Sequence, residues 1–367
     1  MDQRRLSALV VGNCCHDVLF LDGRIDQDYL LGGAISFVSN VFDSLSVSSS
    51  FACHYISKVG PDFLYHKHLS FSSILSPLPT TLFHAHFPSS TSPSATSLPA
   101  SRADRVLTRI ASCDAIFPSD LTLPSSSVYD FGLAVGVAGE ITSQTLARMI
   151  DICRVVLVDV QALIRIFDHD SGTVRLIPLI DSGFYHLLPR IAFLKVSADE
   201  APFIDIEEVR RFCAVLVTNG KQGCSLYWKD GGELHIPAFP ALQQIDPTGA
   251  GDSFFAGFAA GLMHGFTIPD ASLLGNFFGS LAVRQVGVPN FNIPILQAVK
   301  NEMSRKIGSK KDWFCGRDDD AAKFEKSQMH DEFMKFLQIE ADKASCNNNY
   351  IINGSKNSFV GTGQNFI

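Results

Sequence analysis

Short apolar runs at residues 8–11, 50–56, 155–160, 191–196 and 214–218 are each followed by a segment with helical character. A chain that alternates between these two patterns buries both by layering helices on the faces of a mostly parallel sheet. The predicted fold class is therefore α/β, a three-layer domain. With 367 residues and 46% hydrophobic content, the chain can bury a full core as one large domain, or as one domain with a small appendage.

Two stretches interrupt the alternation. Residues 20–31 are polar and hairpin-like, as expected of a strand pair projecting from the sheet. Residues 80–87 lead into a Ser/Thr/Pro-rich run within 88–101 that offers nothing to a core and reads as a flexible surface loop. Beyond about residue 300 the composition turns to Lys, Asp and Asn. One amphipathic helix is expected there, at 318–344, carrying Phe324, Phe333, Phe336 and Leu337, with disorder from Asn347 onward. The expected domains are 1–303 and a C-terminal extension, 304–367.

A net charge of −7, with no basic run beyond pairs such as Lys310 and Lys311, argues against a nucleic-acid partner. Nine cysteines lie without metal-ligand spacing, and the adjacent Cys14 and Cys15 suit reduced thiols, so a cytoplasmic location is expected. Arg4 and Arg5 precede an apolar run as in a signal peptide, but Gly12, Asn13, His16 and Asp17 cut it short, which favours a buried first strand. Residues 254–263 form the longest apolar segment, too short to span a bilayer. No membrane association is expected, and oligomeric state is left open.

The strongest chemical signal is Asp246-Pro247-Thr248-Gly249-Ala250-Gly251-Asp252-Ser253-Phe254, a small-residue turn running into an apolar helix. Backbone N–H groups left uncovered at such a helix start bind phosphate oxygens. Asp252, in the first turn, can accept a hydroxyl proton from a nucleophile held against that anion site. A glycine-rich helix start with an acidic residue also occurs in α/β proteins of other function. No Gly-x-Gly-x-x-Gly follows the first strand and no Gly-x₄-Gly-Lys-Ser/Thr occurs, which disfavours a dinucleotide-binding oxidoreductase and a Walker-type NTPase.

This segment resembles the C-terminal signature of the ribokinase-like, or pfkB, carbohydrate kinases, and the resemblance covers roughly residues 6–298. Val217-Thr218-Asn219-Gly220-Lys221-Gln222-Gly223 is similar to the family's Thr-x-Gly-x-x-Gly turn. The family reading implies a small β lid at about 19–31 and 76–90, and an ATP-dependent transfer with Mg²⁺. It implies a catalytic role for Asp252, with Gly249, Ala250 and Gly251 holding the phosphoryl group. On the nucleotide side it implies Thr218, Gly220, Gly223, Ser197, Glu200 and Asn276, with Glu200 ordering Mg²⁺ through water. Ser197 stands where the family has Asn. On the acceptor side it implies Asp17, Gly32, Gly33, Glu140, Asp159 and Gln161. Asp246 and Thr248 match a monovalent-cation site that takes K⁺ in many members.

Residues 31–37, 131–140 and 158–165 further resemble the plant inositol 3-kinase branch of that family. That resemblance implies a polyol acceptor, myo-inositol, phosphorylated to myo-inositol 3-phosphate for phytate synthesis. A fructokinase, ribokinase or nucleoside kinase would share every nucleotide-side residue. A catalytically idle member serving as a binding or scaffold protein is the non-enzyme alternative.

Overall fold

The computed structural model describes residues 6–21, 23–46, 51–87, 106–123, 128–137, 139–229, 231–241, 244–306 and 323–354. The expected loop at 88–101 and the end of the tail lie outside these residues.

From the N-terminus, β1 (Leu6–Val11) leads into β2 (Cys15–Leu21) and β3 (Arg24–Gly32), and β4 (Phe51–Ile56) returns beside β1. The short β5 (Lys58–Val59) and β6 (Ile74–Leu75) pair with each other. Next come β7 (Thr81–Phe87), β8 (Val106–Ala111), β9 (Tyr129–Ala134) and β10 (Cys153–Asp159). A hairpin of β11 (Arg165–Phe167) and β12 (Val174–Leu176) precedes β13 (Phe193–Ser197), β14 (Ala214–Thr218), β15 (Cys224–Tyr227) and β16 (Glu233–Ile236).

Eight of these strands form one sheet in the order β16-β15-β14-β13-β10-β9-β1-β4, parallel from β4 to β14 and antiparallel at the β15–β16 edge. The two-residue periodicity of a strand divides its side chains between two cores. Ala8 and Val10 join the core beneath the helices Ala34–Ser44, Ala250–Met263 and Ile268–Ala282, whereas Leu9 and Val11 join the core under Ser143–Ile152. Both faces are covered, which explains why these strands read as unbroken apolar runs. Burying each Val or Leu here stabilises the fold by about 1.5–3 kcal/mol.

A second sheet, β3-β2-β7-β8, stands apart from the first. It takes in the strands expected at 19–31 and 76–90. Its fourth member, β8, was not foreseen, because the half-exposed Val106–Ala111 lacks the apolar density of a core strand.

The late helix is His330–Gly354, beginning after 318 and continuing through the expected disorder at Asn347. Phe333, Leu337 and Ala341 are buried in the main core. Asp270 fixes the helix start, accepting from His330 Nδ1 at 2.6 Å and pairing with Lys306 Nζ at 2.9 Å.

Candidate active site

In a parallel sheet flanked by helices, ligand crevices open at the C-terminal ends of the strands. Asp159 ends β10, Ser197 ends β13 and Thr218 ends β14. Facing them is the start of the helix Ala250–Met263, whose N-cap, Gly249, is left-handed at φ 73°. A Cβ at Gly249 would lie 2.0 Å from the Phe37 ring, so both conformation and space require glycine. The Ala250 N–H is bonded to the Pro247 carbonyl at 3.2 Å. Ala250 therefore contributes less to an anion site than its place in the turn suggests, and the helix-start donors are those of Gly251 and Asp252.

Asp252 Oδ1 accepts from the side-chain amide of Gln161 at 3.1 Å. Lys195 Nζ donates to Asp159 Oδ2 at 2.9 Å, and a Cβ on Gly251 would lie only 3.1 Å from that ammonium. The Gln161 N–H reaches Asp159 Oδ1 at 3.3 Å. Arg165 comes within 3.7 Å of Glu200 Oε1, while Glu200 Oε2 accepts the Ser197 N–H at 2.8 Å. The Ser197 hydroxyl in turn accepts the Glu200 N–H at 3.3 Å. Three carboxylates and two cations thus share one buried cluster.

Burial is the largest influence on each of these acids. It raises the Asp252 carboxyl above the ordinary range, against the pull of Lys195, Arg165 and the Gln161 amide. Burial pushes Asp159 up to about 7, with Lys195 opposing. In Glu200 burial loses to Lys195, Arg165 and the Ser197 N–H, which hold the carboxyl below its usual range. Burial also opposes the Lys195 ammonium, but Asp159, Glu200 and Asp252 keep it above the ordinary range. A carboxylate raised toward neutrality beside a permanent anion is the arrangement of a general base next to an electrostatic partner.

On the opposite side of β13, the Thr218 hydroxyl donates to the Val196 carbonyl at 3.4 Å. Gly220 and Gly223 take φ of 53° and 97°, and a Cβ on Gly223 would meet the Ile236 carbonyl oxygen at 2.1 Å. Asn276 donates to the carbonyls of Ile236 at 3.1 Å and Pro237 at 2.9 Å. Its amide nitrogen thus anchors the wall beside the Gly220 turn instead of pointing free into a base pocket.

At the other end of the crevice, a Cβ on Gly32 would lie 2.2 Å from Asp17 Oδ2, so the carboxylate rests directly on the Gly32 and Gly33 turn. Gly33 is left-handed at φ 86° and caps the helix Ala34–Ser44. Glu140 Oε1 accepts the N–H groups of Asn13 at 3.1 Å and Val137 at 3.0 Å, tying two loops together. Asp159, expected on the acceptor side, bonds to Lys195, and Gln161, expected there too, bonds to Asp252, so both join the charged cluster.

Residues 180–295 match the pfkB family of carbohydrate kinases. The chain is 50% identical to the inositol 3-kinase of Arabidopsis thaliana over 299 residues, 81% of this chain and 80% of that one. It is 49% identical to the inositol 3-kinase of Zea mays over 348 residues, covering 92% and 87% of the two chains. This chain belongs to the pfkB family. Among solved structures, a pyrophosphate-dependent kinase of the ribokinase family, complexed with a pyrophosphate analog and myo-inositol, shares the fold. Its TM-score is 0.63 at 18% identity, over 79% of this chain and 99% of that one. The nucleoside kinase of Methanocaldococcus jannaschii gives 0.57 at 18% identity, over 82% and 97%.

Two charged residues of this pfkB member escaped the sequence reading as site residues, Lys195 and Arg165. The signal for Lys195 was a lone cation inside the apolar run Phe193-Leu194-Lys195-Val196, since a charge in a buried strand needs a partner. Arg165 gave no such signal. Among the described residues no group of three or more His, Cys, Asp or Glu could hold a metal by itself. Asp246 is fully buried, with Oδ1 accepting the Thr248 N–H at 2.9 Å and Oδ2 finding no hydrogen-bond partner among the described residues. An orphaned buried carboxylate oxygen fits a bound cation.

Proposed function

We propose that this chain transfers the γ-phosphoryl group of ATP to a hydroxyl of myo-inositol, giving myo-inositol 3-phosphate. The observation that carries the reading is Asp252, a buried carboxylate of raised proton affinity on the helix-start turn, in a chain about half identical to inositol 3-kinases along most of its length. In the proposed step the acceptor oxygen forms a bond to the γ-phosphorus as its proton passes to Asp252. The bond from the γ-phosphorus to the β,γ-bridging oxygen breaks, and its electron pair leaves with ADP. The Gly251 and Asp252 amides meet the charge on the transferring group, where fixed donors act without reorganisation. Asp17 would accept hydroxyls of the polyol, with Glu140 holding the loops around it.

Mg²⁺ bound to the phosphates would neutralise their charge, with Glu200 the nearest anion for its water shell. K⁺ would be held by Asp246 and the Thr248 carbonyl. Thr218, Gly220 and Gly223 would border the nucleotide, with Ser197 beside its phosphates and the Asn276-anchored wall beside its base. A cytosolic location is supported by seven described cysteines, none of which forms a disulfide. No described helix is long and apolar enough to cross a membrane.

The test is ADP release over a panel of myo-inositol, fructose, ribose and adenosine, with the product's phosphorylated position fixed by NMR. Myo-inositol should give the highest specificity constant. A tenfold preference for fructose or adenosine would overturn the assignment.

A further inference from the structure

Lys195 and Arg165 both face the carboxylates of the site, but they are engaged differently. The Lys195 ammonium is 5% exposed and hydrogen-bonded to Asp159. The Arg165 guanidinium is 18% exposed and meets only the edge of Glu200 at 3.7 Å, a distance for attraction but not for a hydrogen bond. Among the described residues its side chain donates no hydrogen bond. It is nonetheless close enough to Asp252 to lower that carboxyl's proton affinity, second only to Lys195 among the charges acting on it. Five donors in a planar fork, held beside the proposed base and left unused, form a receptor for a planar, multiply charged oxyanion.

The backbone explains why the guanidinium stays in place. Arg165 opens β11, directly after the short helix Gln161–Ile164, and shares a strand face with Phe167. The Arg109 guanidinium, from β8, lies 3.8 Å above the Phe167 ring, and Phe83, from β7, packs beside it at 6.1 Å. The Arg109 N–H is bonded to the Gly172 carbonyl, at 2.9 Å, in the turn of the same hairpin. The hairpin is therefore clamped to the second sheet at its tip while its first residue reaches the charged cluster.

We propose that Arg165 is a catalytic residue that hydrogen-bonds the equatorial oxygens of the phosphoryl group as it passes from donor to acceptor. The proposal rests on the kinase reading above and adds a residue to it. The transfer is balanced as already written: the acceptor oxygen bonds to phosphorus, the bridging bond breaks toward the donor, and the proton goes to Asp252. Arg165 gains and loses no proton. Its bonds tighten as charge gathers on the equatorial oxygens, and Glu200 keeps the fork oriented between turnovers.

The experiment compares wild type with Arg165→Gln and Arg165→Lys by turnover, by melting temperature, and by binding of Mg·ADP with and without tetrafluoroaluminate, a mimic of the transferring group. Arg165→Gln should lower kcat by roughly 10²-fold, the scale for losing one transition-state donor set, with KM for myo-inositol within about threefold. Its affinity for Mg·ADP should hold while the gain from tetrafluoroaluminate is lost. Arg165→Lys keeps the charge but not the fork and should stay at least about tenfold below wild type. Near-wild-type turnover in either variant, or an equal loss of plain ADP affinity, would overturn the proposal. If Arg165→Gln does not fold, Arg165→Lys decides by the same two readouts. The fluoroaluminate measurement does not depend on which polyol is the acceptor. A wild type that binds the mimic tightly but ignores myo-inositol would thus refute the substrate assignment alone.

Discussion

At the C-terminal ends of β10 and β13, Asp159, Lys195 and Glu200 are buried with Asp252 close by, and each charge is offset by a neighbour within the same cluster. At the end nearer the second sheet the means are different. There His16 stacks on Phe63 at 5.5 Å, with Tyr29 and Tyr65 around it, and the Tyr65 hydroxyl donates to the Tyr29 carbonyl at 2.5 Å. Leu21, Ile25 and Tyr29 are exposed on the same strand pair. The first region is a fixed electrostatic frame in which any change leaves a charge uncompensated. The second is held by ring stacking and a backbone hydrogen bond, with no buried ion pair among these residues. On the proposed reading, the reaction belongs to the frame and the choice of acceptor to the surface.

The largest effect expected from breaking the frame is that of Asp252→Asn, which keeps the side chain's size but cannot take a proton. Turnover should fall by roughly 10²–10⁴-fold with ADP affinity and melting temperature little changed. Because burial raises this carboxyl, wild-type activity should be lost, as pH falls, at a higher pH than an exposed Asp would give. That acid limb should be missing from the residual activity of the variant. An unchanged kcat in the folded variant would remove Asp252 from the chemistry.

Lys195→Met should cost about 3–5 kcal/mol in urea unfolding, the scale for removing one partner of a buried ion pair. Asp159 already titrates at about 7 with its cation in place, and without it the folded protein holds the proton still more tightly. A group whose folded pKa is raised loses its stabilising effect as pH rises through that value. Below about pH 7 folded Asp159 keeps its proton in both proteins, so the variant's deficit should grow only as pH rises through and beyond about 7; a deficit independent of pH would show that Lys195 acts through packing alone.

Glu140→Ala leaves the Asn13 and Val137 N–H groups without their acceptor. A loss of roughly 2–4 kcal/mol is expected from two unsatisfied buried donors. Should stability hold while KM for myo-inositol rises more than tenfold, Glu140 would be a direct substrate ligand instead of a loop tie. The smallest effect is expected from Tyr65→Phe, about 0.5–1.5 kcal/mol for one hydrogen bond. KM for the acceptor should shift a few-fold and kcat hardly at all, and a fall in kcat as large as that of Asp252→Asn would erase the distinction between the two regions.

What could be read from the sequence follows the same division. The turn before Ala250 was legible because its demands are local: a left-handed Gly249, an acidic first turn and an apolar helix lie within a dozen residues. The parallel strands were legible because burial on both faces removes polar positions. Lys195 reaches a partner 36 residues away and Gln161 one 91 residues away, and no local pattern encodes either contact. Asp159 and Gln161 were assigned to the acceptor side by family resemblance, and only the packing shows that Lys195 and Asp252 are their hydrogen-bond partners. β9 stands out less as an apolar run, since Tyr129-Asp130-Phe131-Gly132 sets a charge and a glycine within it. That glycine is required by the Cys153 sulfur, 2.7 Å from where its Cβ would stand.

The contact of Gly249 with Phe37 has a bearing on how such a site could be redesigned. Phe37 lies one helical turn past Gly33, so a single short rod joins the polyol-side turn to the phosphoryl-side turn. A substitution that widens one end tilts or unseats the other. Libraries that vary positions 33 and 37 to admit a bulkier alcohol should therefore yield productive changes in linked pairs, with compensating replacements near residue 249, and single replacements should trade a new acceptor against slower transfer.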